Sequence, residues 1–332
     1  MANVGIRQVA EAANVSVGTV SNVLNRPDYV APATLAKVQA TMERLGFVRN
    51  NLARQVKLGE STSIAMVVLN VANPFFGGLA SACVEAAERR GHTIVLGTSD
   101  QHPDREDRYI DLFEGQRVKG MLVTPLNGFT TRMGVTRNRR MPLVLFDDAS
   151  ADWDCCSVAM DGRLGGRIAV THLIDRGRRD IVFIGGPLSQ VHDRWAGAQD
   201  AVRAVEGVRF THMETADQRM ADGREAGMKI ATLPPELRPD AIFAANDLLA
   251  LGVMQALLAT PGISVPDDIA VIGYDDIEYG ASAALPLTTV RQPLDALADA
   301  AVSMILSEAA DFSGHTHTRL LLPPELIVRS ST

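Results

Sequence analysis

The chain has 332 residues, 46% of them hydrophobic and 21% charged, with a formal net charge of −7, as expected of a folded globular protein with one large or two medium domains. No run of 18 apolar residues is present to cross a membrane, and the opening MANVGIRQVAEAA lacks the apolar core of a signal peptide. Both observations argue against membrane insertion and export, and a cytoplasmic location is expected. Cys83, Cys155 and Cys156 fit neither a disulfide framework nor a zinc spacing and read as reduced thiols, while His315 and His317 read as solvated loop residues. No metal and no cofactor is expected.

Charge is unevenly distributed. Residues 1–60 hold seven Lys or Arg against four Asp or Glu, a net +3, which leaves −10 for the remainder. A basic head on an acidic body suits a polyanion-binding module joined to a sensor or enzyme.

In the head, Ile6, Val9, Ala10 and Ala13 share one helical face. A turn at Asn14-Val15 follows, and Ser16 is a good N-cap for a second helix from Val17 to about Leu24. Val20, Val23 and Leu24 cluster on one side of that helix, with Gly18, Ser21, Asn22 and Asn25 opposite. A third helix, with Leu35, Val38, Met42 and Leu45 inward, starts at Pro32 and stops at Gly46. Three such helices make a helix-turn-helix core, whose second helix offers its exposed face to a major groove. A small helical bundle with no DNA role has the same periodicity, so the motif itself has to decide.

That motif is VSVGTVSNVLN, residues 15–25. With its flanks it strongly resembles the DNA-binding head of the lactose-repressor/galactose-repressor family, in which V-S-x-x-T-V-S-x-V-L-N marks the recognition helix. The resemblance implies base reading at Val17, Gly18 and Asn22. Asn22 has the side chain for a bidentate contact to adenine, and Val17 offers only apolar contact to a thymine methyl. Thr19, Ser21 and Asn25 suit phosphate contacts that position the helix. Ala31 stands where the family often has a Ser cap, forgoing roughly 0.5–2 kcal/mol. In the linker RNNLARQVKLGEST the family forms a hinge helix in the minor groove. Asn51, Ala53 and Arg54 fall in that segment, and Val56 replaces the usual Leu wedge with a shorter side chain. Such a short helix is expected to be disordered alone and to fold on DNA.

From Ser63 strands alternate with helices. The run 64–69 reads as a buried strand, followed by a helix from about Phe75 to Arg90, HTIVLGTSD, a helix near Asp104–Gln116, GMLVTP and LVLFDD. After Asp161 the alternation restarts, with a helix to Arg176, DIVFIGG, a helix from Arg194, AIFAAND, another helix and IAVIGYDD. Two such runs imply an α/β body of two doubly wound parallel sheets, with ligands at the carboxyl ends of the strands. TTVRQP and LLLPPELIV read as crossing strands that tie the lobes together. The expected divisions are a head at 1–48, a hinge linker at 49–61 and a two-lobed effector-binding and dimerisation domain at 62–332.

Asn73, Phe75, Phe76, Asp147, Asn246 and Asp275 fall at predicted strand ends, with Arg194 and Gln292 at corresponding edges. Donors, acceptors and two rings at one mouth make a polyol site, because hydroxyls need both kinds of partner and a sugar's C–H face packs on rings. Singly, each has a plainer reading as a cap, a loop residue or a surface residue. The body resembles the periplasmic sugar-binding fold that the same family shares, and is close to ribose-type receptors, where those eight positions touch sugar. Asp148, where an Arg is frequent, and the absence of an aromatic near Gln218 argue against ribose itself.

The expected function is a ligand-responsive transcriptional regulator, a repressor of carbohydrate-utilisation genes. It would bind a pseudo-palindromic double-stranded operator as a homodimer and a small sugar or polyol between its lobes. A purine or nucleoside effector is the alternative. An enzyme is disfavoured: no GxGxxG follows the first strand, no Walker sequence occurs, and Ser189, His192 and Asp193 lack a GxSxG elbow. A transport receptor would need a signal peptide and no head. With no heptad tail after ELIVRSST, a dimer is expected rather than a tetramer.

Overall fold

The structure, a computed structural model, describes residues 4–47, 61–146 and 154–332. They divide into two compact units between Glu60 and Ser61.

The first unit holds α1 (Ile6–Ala12), α2 (Val17–Asn25) and α3 (Pro32–Leu45). Asn14 makes the turn between α1 and α2 at φ 47°, a left-handed conformation that Asn tolerates better than most residues. Ser16 Oγ then accepts from Thr19 N at 3.0 Å, capping α2. Val9, Ala10, Ala13, Val20, Val23 and Val38 form the core, with Leu24, Leu35, Met42 and Leu45 packed around it. α3 begins at Pro32 with no side-chain bond from Ala31 and ends on Gly46 at φ 63°. A single 3-10 turn at Pro27–Tyr29, which the sequence pattern did not suggest, joins α2 to α3. The expected hinge residues Asn51, Ala53, Arg54 and Val56 lie outside the described residues.

The second unit has two six-stranded sheets. In chain order β1 (Ser63–Val68), β2 (Thr93–Thr98), β3 (Met121–Val123), β4 (Leu143–Phe146) and β5 (Cys156–Met160) belong to the first. β6 (Asp180–Ile184), β7 (Arg209–Met213), β8 (Ala241–Ala244), β9 (Ala270–Asp275) and β10 (Thr288–Arg291) belong to the second. The last two strands, β11 (Arg319–Leu322) and β12 (Glu325–Ile327), complete one sheet each, giving the orders β11-β5-β4-β3-β1-β2 and β12-β10-β9-β8-β6-β7. The crossing expected of LLLPPELIV is therefore present. β11 pairs in parallel with β5 through Leu320 and Val158, and β12 pairs antiparallel to β10 through Ile327 and Thr289.

Helices cover both faces of each sheet, so the central strands are near-continuous apolar runs. The helices of the first lobe are α4 (Pro74–Glu88), α5 (Pro103–Gly115) and α6 (Thr131–Asn138). Those of the second are α7 (Gly162–Asp175), α8 (Leu188–Arg203), α9 (Met220–Ala231), α10 (Asp247–Leu258) and the single turn α11 (Glu278–Ala281). α12 (Leu294–Ala310) returns to pack on α4 and the first sheet. Alternate residues of β1 point to opposite cores: Ile64, Met66 and Val68 meet α4 and α12, while Ala65 and Val67 meet Ile110 and Phe113 of α5. Cys83 lies in the first of these cores, where burial pushes its thiol up to about 12. None of the described helices is long and apolar enough to cross a membrane.

The helix expected from Arg194 begins six residues earlier, at Leu188 after Pro187. The polar stretch LSQVHD hides that first turn from a hydrophobic pattern. β5, β7, α6, α9 and α12 had no counterpart in the sequence reading. β7 is an edge strand with mixed burial, and α12 is short of the polar spacing that marks a surface helix.

Two helix pairs of the second lobe touch backbone to backbone. A Cβ on Gly166 of α7 would stand 1.8 Å from Arg194 O of α8, and one on Gly197 of α8 would stand 1.8 Å from Arg163 O of α7. The same reciprocal contact joins α9 and α10, where Gly223 faces Leu249 O and Gly252 faces Met220 O. Only glycine permits such an approach.

Candidate functional site

On α2 the outward face carries Val17, which is 44% exposed, together with exposed Gly18, Asn22 and Asn25 and half-buried Thr19 and Ser21. Thr19 Oγ1 lies 2.9 Å from Ser16 Oγ, and Asn25 Nδ2 donates to Ser21 O at 2.9 Å. The end residues of the helix thus stiffen its own backbone, and Asn22 stands between them on the exposed side. This face is narrow, small and polar, as a helix needs to be to enter a groove about 12 Å wide.

In the body, the carboxyl ends of the strands from both lobes open onto a cleft. A cavity of about 140 Å³ there is lined by Asn73, Phe75 and Phe76 from the first lobe and by Arg194, Asn246 and Asp275 from the second. Six of the eight residues expected from sequence therefore share one cavity. Gln292 stands behind it, its Nε2 donating to Asp275 Oδ1 at 2.7 Å. Asp147 and its neighbour Asp148 lie outside the described residues.

Asn73, Phe75, Phe76, Asn246 and Asp275 are placed by element ends, and Arg194 by the body of α8. Asn73 caps α4, its Oδ1 accepting from Phe75 N at 3.1 Å, so the first turn presents Phe75 and Phe76 as an edge-to-face pair with centroids 5.1 Å apart. Asn246 caps α10, accepting from Leu249 N at 2.8 Å, and its Nδ2 donates to Gln218 O at 3.1 Å. The Arg194 guanidinium stacks on the Tyr274 ring at 4.0 Å and donates to Ala245 O at 2.5 Å. Here the plain reading of Asn73 as a cap is true, Asn246 caps its helix in the same way, and the capping is what aims them.

Asp275 is held at φ 111° and Asp276 at φ 57°, left-handed conformations that cost a non-glycine residue about 1–3 kcal/mol where the surroundings enforce them. The enforcing groups are visible. Arg291 and Arg329 both pair with Asp276, at 2.7 and 2.6 Å. Asp247, fully buried, accepts from Ile277 N at 2.8 Å and from Thr289 Oγ1 at 2.6 Å. Burial, with the neighbouring Asp275 carboxylate adding to it, holds the Asp247 carboxyl well above the usual range.

The folded protein therefore binds that proton more tightly than the unfolded chain. Its stabilising contribution is complete below the ordinary carboxylate range and is lost as pH rises through the raised folded value. Asp247→Asn is expected to keep the fold and to flatten the pH dependence of unfolding above the ordinary carboxylate range. Asp247→Ala strands Ile277 N and the Thr289 hydroxyl, at about 1–3 kcal/mol for each buried group left unpaired. Denaturant titrations from that range upward check this, and equal losses in the two variants would contradict it.

Sequence reasoning missed Gln101, Gln190 and Asp217, which also line the cavity. Gln101 Nε2 donates to Asp217 Oδ1 at 3.0 Å, Gln190 Nε2 to Gln101 Oε1 at 3.3 Å, and Gln218 Nε2 to Gln190 Oε1 at 3.1 Å. This polar chain runs from the first lobe to the second. Gln101 follows β2 and could have been found by the strand-end rule, whereas Gln190 and Asp217 sit beside elements the pattern had misplaced or missed. A second cavity of about 600 Å³ shares Leu69, Gln190 and Arg194 with the first but is walled by Pro125, Leu126, Met160 and Tyr274. The smaller one concentrates the donors and acceptors. His192 and Asp193 are exposed neighbours on α8, 3.4 Å apart, with side chains 62% and 67% exposed. They form no buried nucleophilic arrangement with Ser189, itself exposed on the same helix.

A helix-turn-helix unit followed by a two-lobed α/β body with a polar cleft defines a ligand-responsive transcriptional regulator. The chain belongs to the lacI family of bacterial regulatory proteins: residues 5–50 match the family described as "Bacterial regulatory proteins, lacI family", and residues 170–332 match a "Periplasmic binding protein-like domain". It is 34% identical to the ribose operon repressor of Escherichia coli (strain K12) over 98% of this chain and 99% of that protein. It is 29% identical to the HTH-type transcriptional repressor PurR of Histophilus somni (strain 129Pt), over 98% of each. Among solved structures, the lac repressor dimer bound to operator and the anti-inducer ONPF superposes with a TM-score of 0.84, at 27% identity and 99% coverage of both chains.

Proposed function

We propose that the chain is a cytoplasmic repressor of carbohydrate-utilisation genes that binds a pseudo-palindromic operator as a homodimer and a small sugar in its cleft. The observation that carries the ligand class is the 140 Å³ cavity, lined by the Phe75–Phe76 ring pair together with guanidinium, carboxylate and amide side chains. Its volume lies below the roughly 300–1,000 Å³ of drug-sized pockets, which favours a monosaccharide over a nucleoside. No aromatic stands at Gln218 to stack a base from the other side.

In this reading Asn73, Asn246, Arg194, Asp275 and Asp147 bind hydroxyls, Gln292 orients Asp275, and Phe75 and Phe76 pack the sugar's C–H face. Asn22 and Val17 read bases, Gly18 lets the helix approach, and Thr19, Ser21 and Asn25 hold phosphates. Residues 49–61, including Asn51, Ala53, Arg54 and Val56, serve as the hinge. Dimerisation is supported by apolar residues left on adjoining elements of the first lobe, Val84 of α4 at 36% and Leu96 of edge strand β2 at 44% exposure. Ligand closure of the lobes would bias DNA binding by a coupling of about 1–3 kcal/mol.

Thermal unfolding against a panel of pentoses, hexoses, inositols and nucleosides tests the pocket, since a ligand at 100 times its dissociation constant stabilises the fold by about 2.7 kcal/mol. A shift with one sugar class supports the proposal. A shift with nucleosides alone would replace it. For the head, Asn22→Ala is expected to cost about 1–3 kcal/mol and to relax preference at one operator position. Uniform weakening across all operator variants would instead assign Asn22 to phosphate.

A further inference from the structure

Four side chains that do not line the cleft cavity converge on the first lobe: Cys156 at the start of β5, Glu308 in the last turn of α12, and His315 and His317 in the connection to β11. Both histidines are half-buried, contrary to the solvated placement expected from sequence. Residues two apart in extended chain face the same way, and His315 N bonds back to Asp311 O at 3.0 Å, folding this connection over the end of α12. One donor atom each of Glu308, His315 and His317 lies within 4.8 Å of the others, and Cys156 Sγ is 3.2 Å from His315 Nε2.

Each imidazole is anchored through its outer nitrogen. His317 Nδ1 lies 2.9 Å from the Asp154 carboxylate, and His315 Nδ1 lies 3.4 Å from Ser307 Oγ. Both rings therefore turn Nε2 toward the shared point. An outer carboxylate or hydroxyl that fixes the ring in this way is the recurring support of metal-binding histidines. Arg137 donates to Glu308, and its Nη2 lies 2.9 Å from His317 Nε2, which also stands 3.3 Å from Glu308 Oε1, so the imidazole nitrogen and the carboxylate face one point. A surface groove lined by Ser307, Asp311, His315 and Thr318 gives an ion access.

We propose that Cys156, His315, His317 and Glu308 bind a divalent transition-metal ion of the zinc class. One thiolate, two neutral imidazoles and one carboxylate are a four-coordinate tetrahedral donor set. On binding, the Cys156 thiol releases its proton to solvent, and Arg137 leaves Glu308 and His317 for Asp154, from which its Nη2 already stands 3.8 Å. Charge then balances: the thiolate and Glu308 neutralise the ion, and Asp154 neutralises Arg137. The ion would staple β5, α12 and the 311–318 connection together.

The test uses untagged full-length protein, stripped by chelator and titrated with Zn²⁺ or Co²⁺ alone. One equivalent per chain, a raised thermal midpoint, and a Co²⁺ spectrum with tetrahedral d–d bands and a sulfur-to-cobalt charge-transfer band are expected. Cys156→Ser is expected to remove the charge-transfer band, and His315→Ala to abolish stoichiometric binding. Asp154, whose side chain is 93% exposed, can be changed without risk to the core. Asp154→Asn is expected to weaken affinity about 10–100-fold, with an unchanged far-UV circular dichroism spectrum. Absence of stoichiometric binding, an octahedral Co²⁺ spectrum, or a spectrum indifferent to both Cys156→Ser and His315→Ala would overturn the proposal.

Discussion

Gly166→Ala is expected to destabilise the body by about 3 kcal/mol or more, at the upper end of what overpacking costs. The added methyl would meet a carbonyl oxygen at 1.8 Å, with the rest of the Arg194 backbone close behind it. No flexible side-chain tip is there to yield, so α7 and α8 have to separate. Separation also opens the reciprocal contact of Gly197 on Arg163, and the pair of substitutions is therefore expected to cost less than the sum of the two. Because Arg194 itself supplies the struck carbonyl, its guanidinium is expected to leave Tyr274, and ligand-induced stabilisation to weaken along with stability. Gly115 of α5 is the control. Open space surrounds its absent Cβ, and Gly115→Ala is expected to be neutral or stabilising by up to about 1 kcal/mol. Thermal and denaturant unfolding of the two single variants, their combination and the Gly115→Ala control decide this, and a Gly166→Ala protein as stable as the Gly115→Ala protein would contradict the packing argument.

Arg194→Ala is expected to weaken binding of the stabilising sugar by about 1.5–3 kcal/mol, ten- to more than a hundredfold, the range for a hydrogen bond to a charged group. Arg194→Lys is expected to fall nearly as far. Lysine keeps the charge but not the planar fork that donates to Ala245 O while lying flat on Tyr274. Operator affinity without sugar is expected to stay near that of the parent protein, so the variant becomes insensitive to ligand while still binding DNA. Calorimetric titration with the sugar and operator binding with and without it separate these effects. Arg194 lines both cleft cavities, so undiminished affinity in Arg194→Ala would exclude the cleft as a whole as the effector site.

The head was legible almost residue by residue, because short helices announce themselves through caps. Ser16, Pro32 and Gly46 each did in three dimensions what their chemistry implies in one. The central strands were legible for a different reason: covered on both faces, they read as near-continuous apolar runs, as in β1 and β8. What escaped was what burial does not pattern. β5 is fully buried, but CSVAM carries polar and sulfur-bearing residues in a run of five. The inter-lobe chain of Gln101, Gln190 and Asp217 needed three-dimensional proximity, since its members are separated by up to 116 positions. The histidine pair failed most instructively. Spacing alone gives His315 and His317 no reason to be buried, and only the return of α12 to the first lobe sets Cys156 and Glu308 beside them.

That return has a bearing on how the protein is made. The first lobe receives its last helix, α12, and its edge strand, β11, from chain that follows the tenth strand. On a ribosome the head can close its core as soon as α3 and Phe47 emerge, because that core is built wholly from residues 4–47. The first lobe cannot. Until Leu297, Ala301 and Ile305 are synthesised, the face of Leu79, Ala82 and Ala86 that they cover waits exposed, through the whole synthesis of the second lobe. Nascent chains stalled before Leu294 are therefore expected to carry a finished DNA-binding head on a sticky, incomplete body, the species on which chaperones and proteases act first.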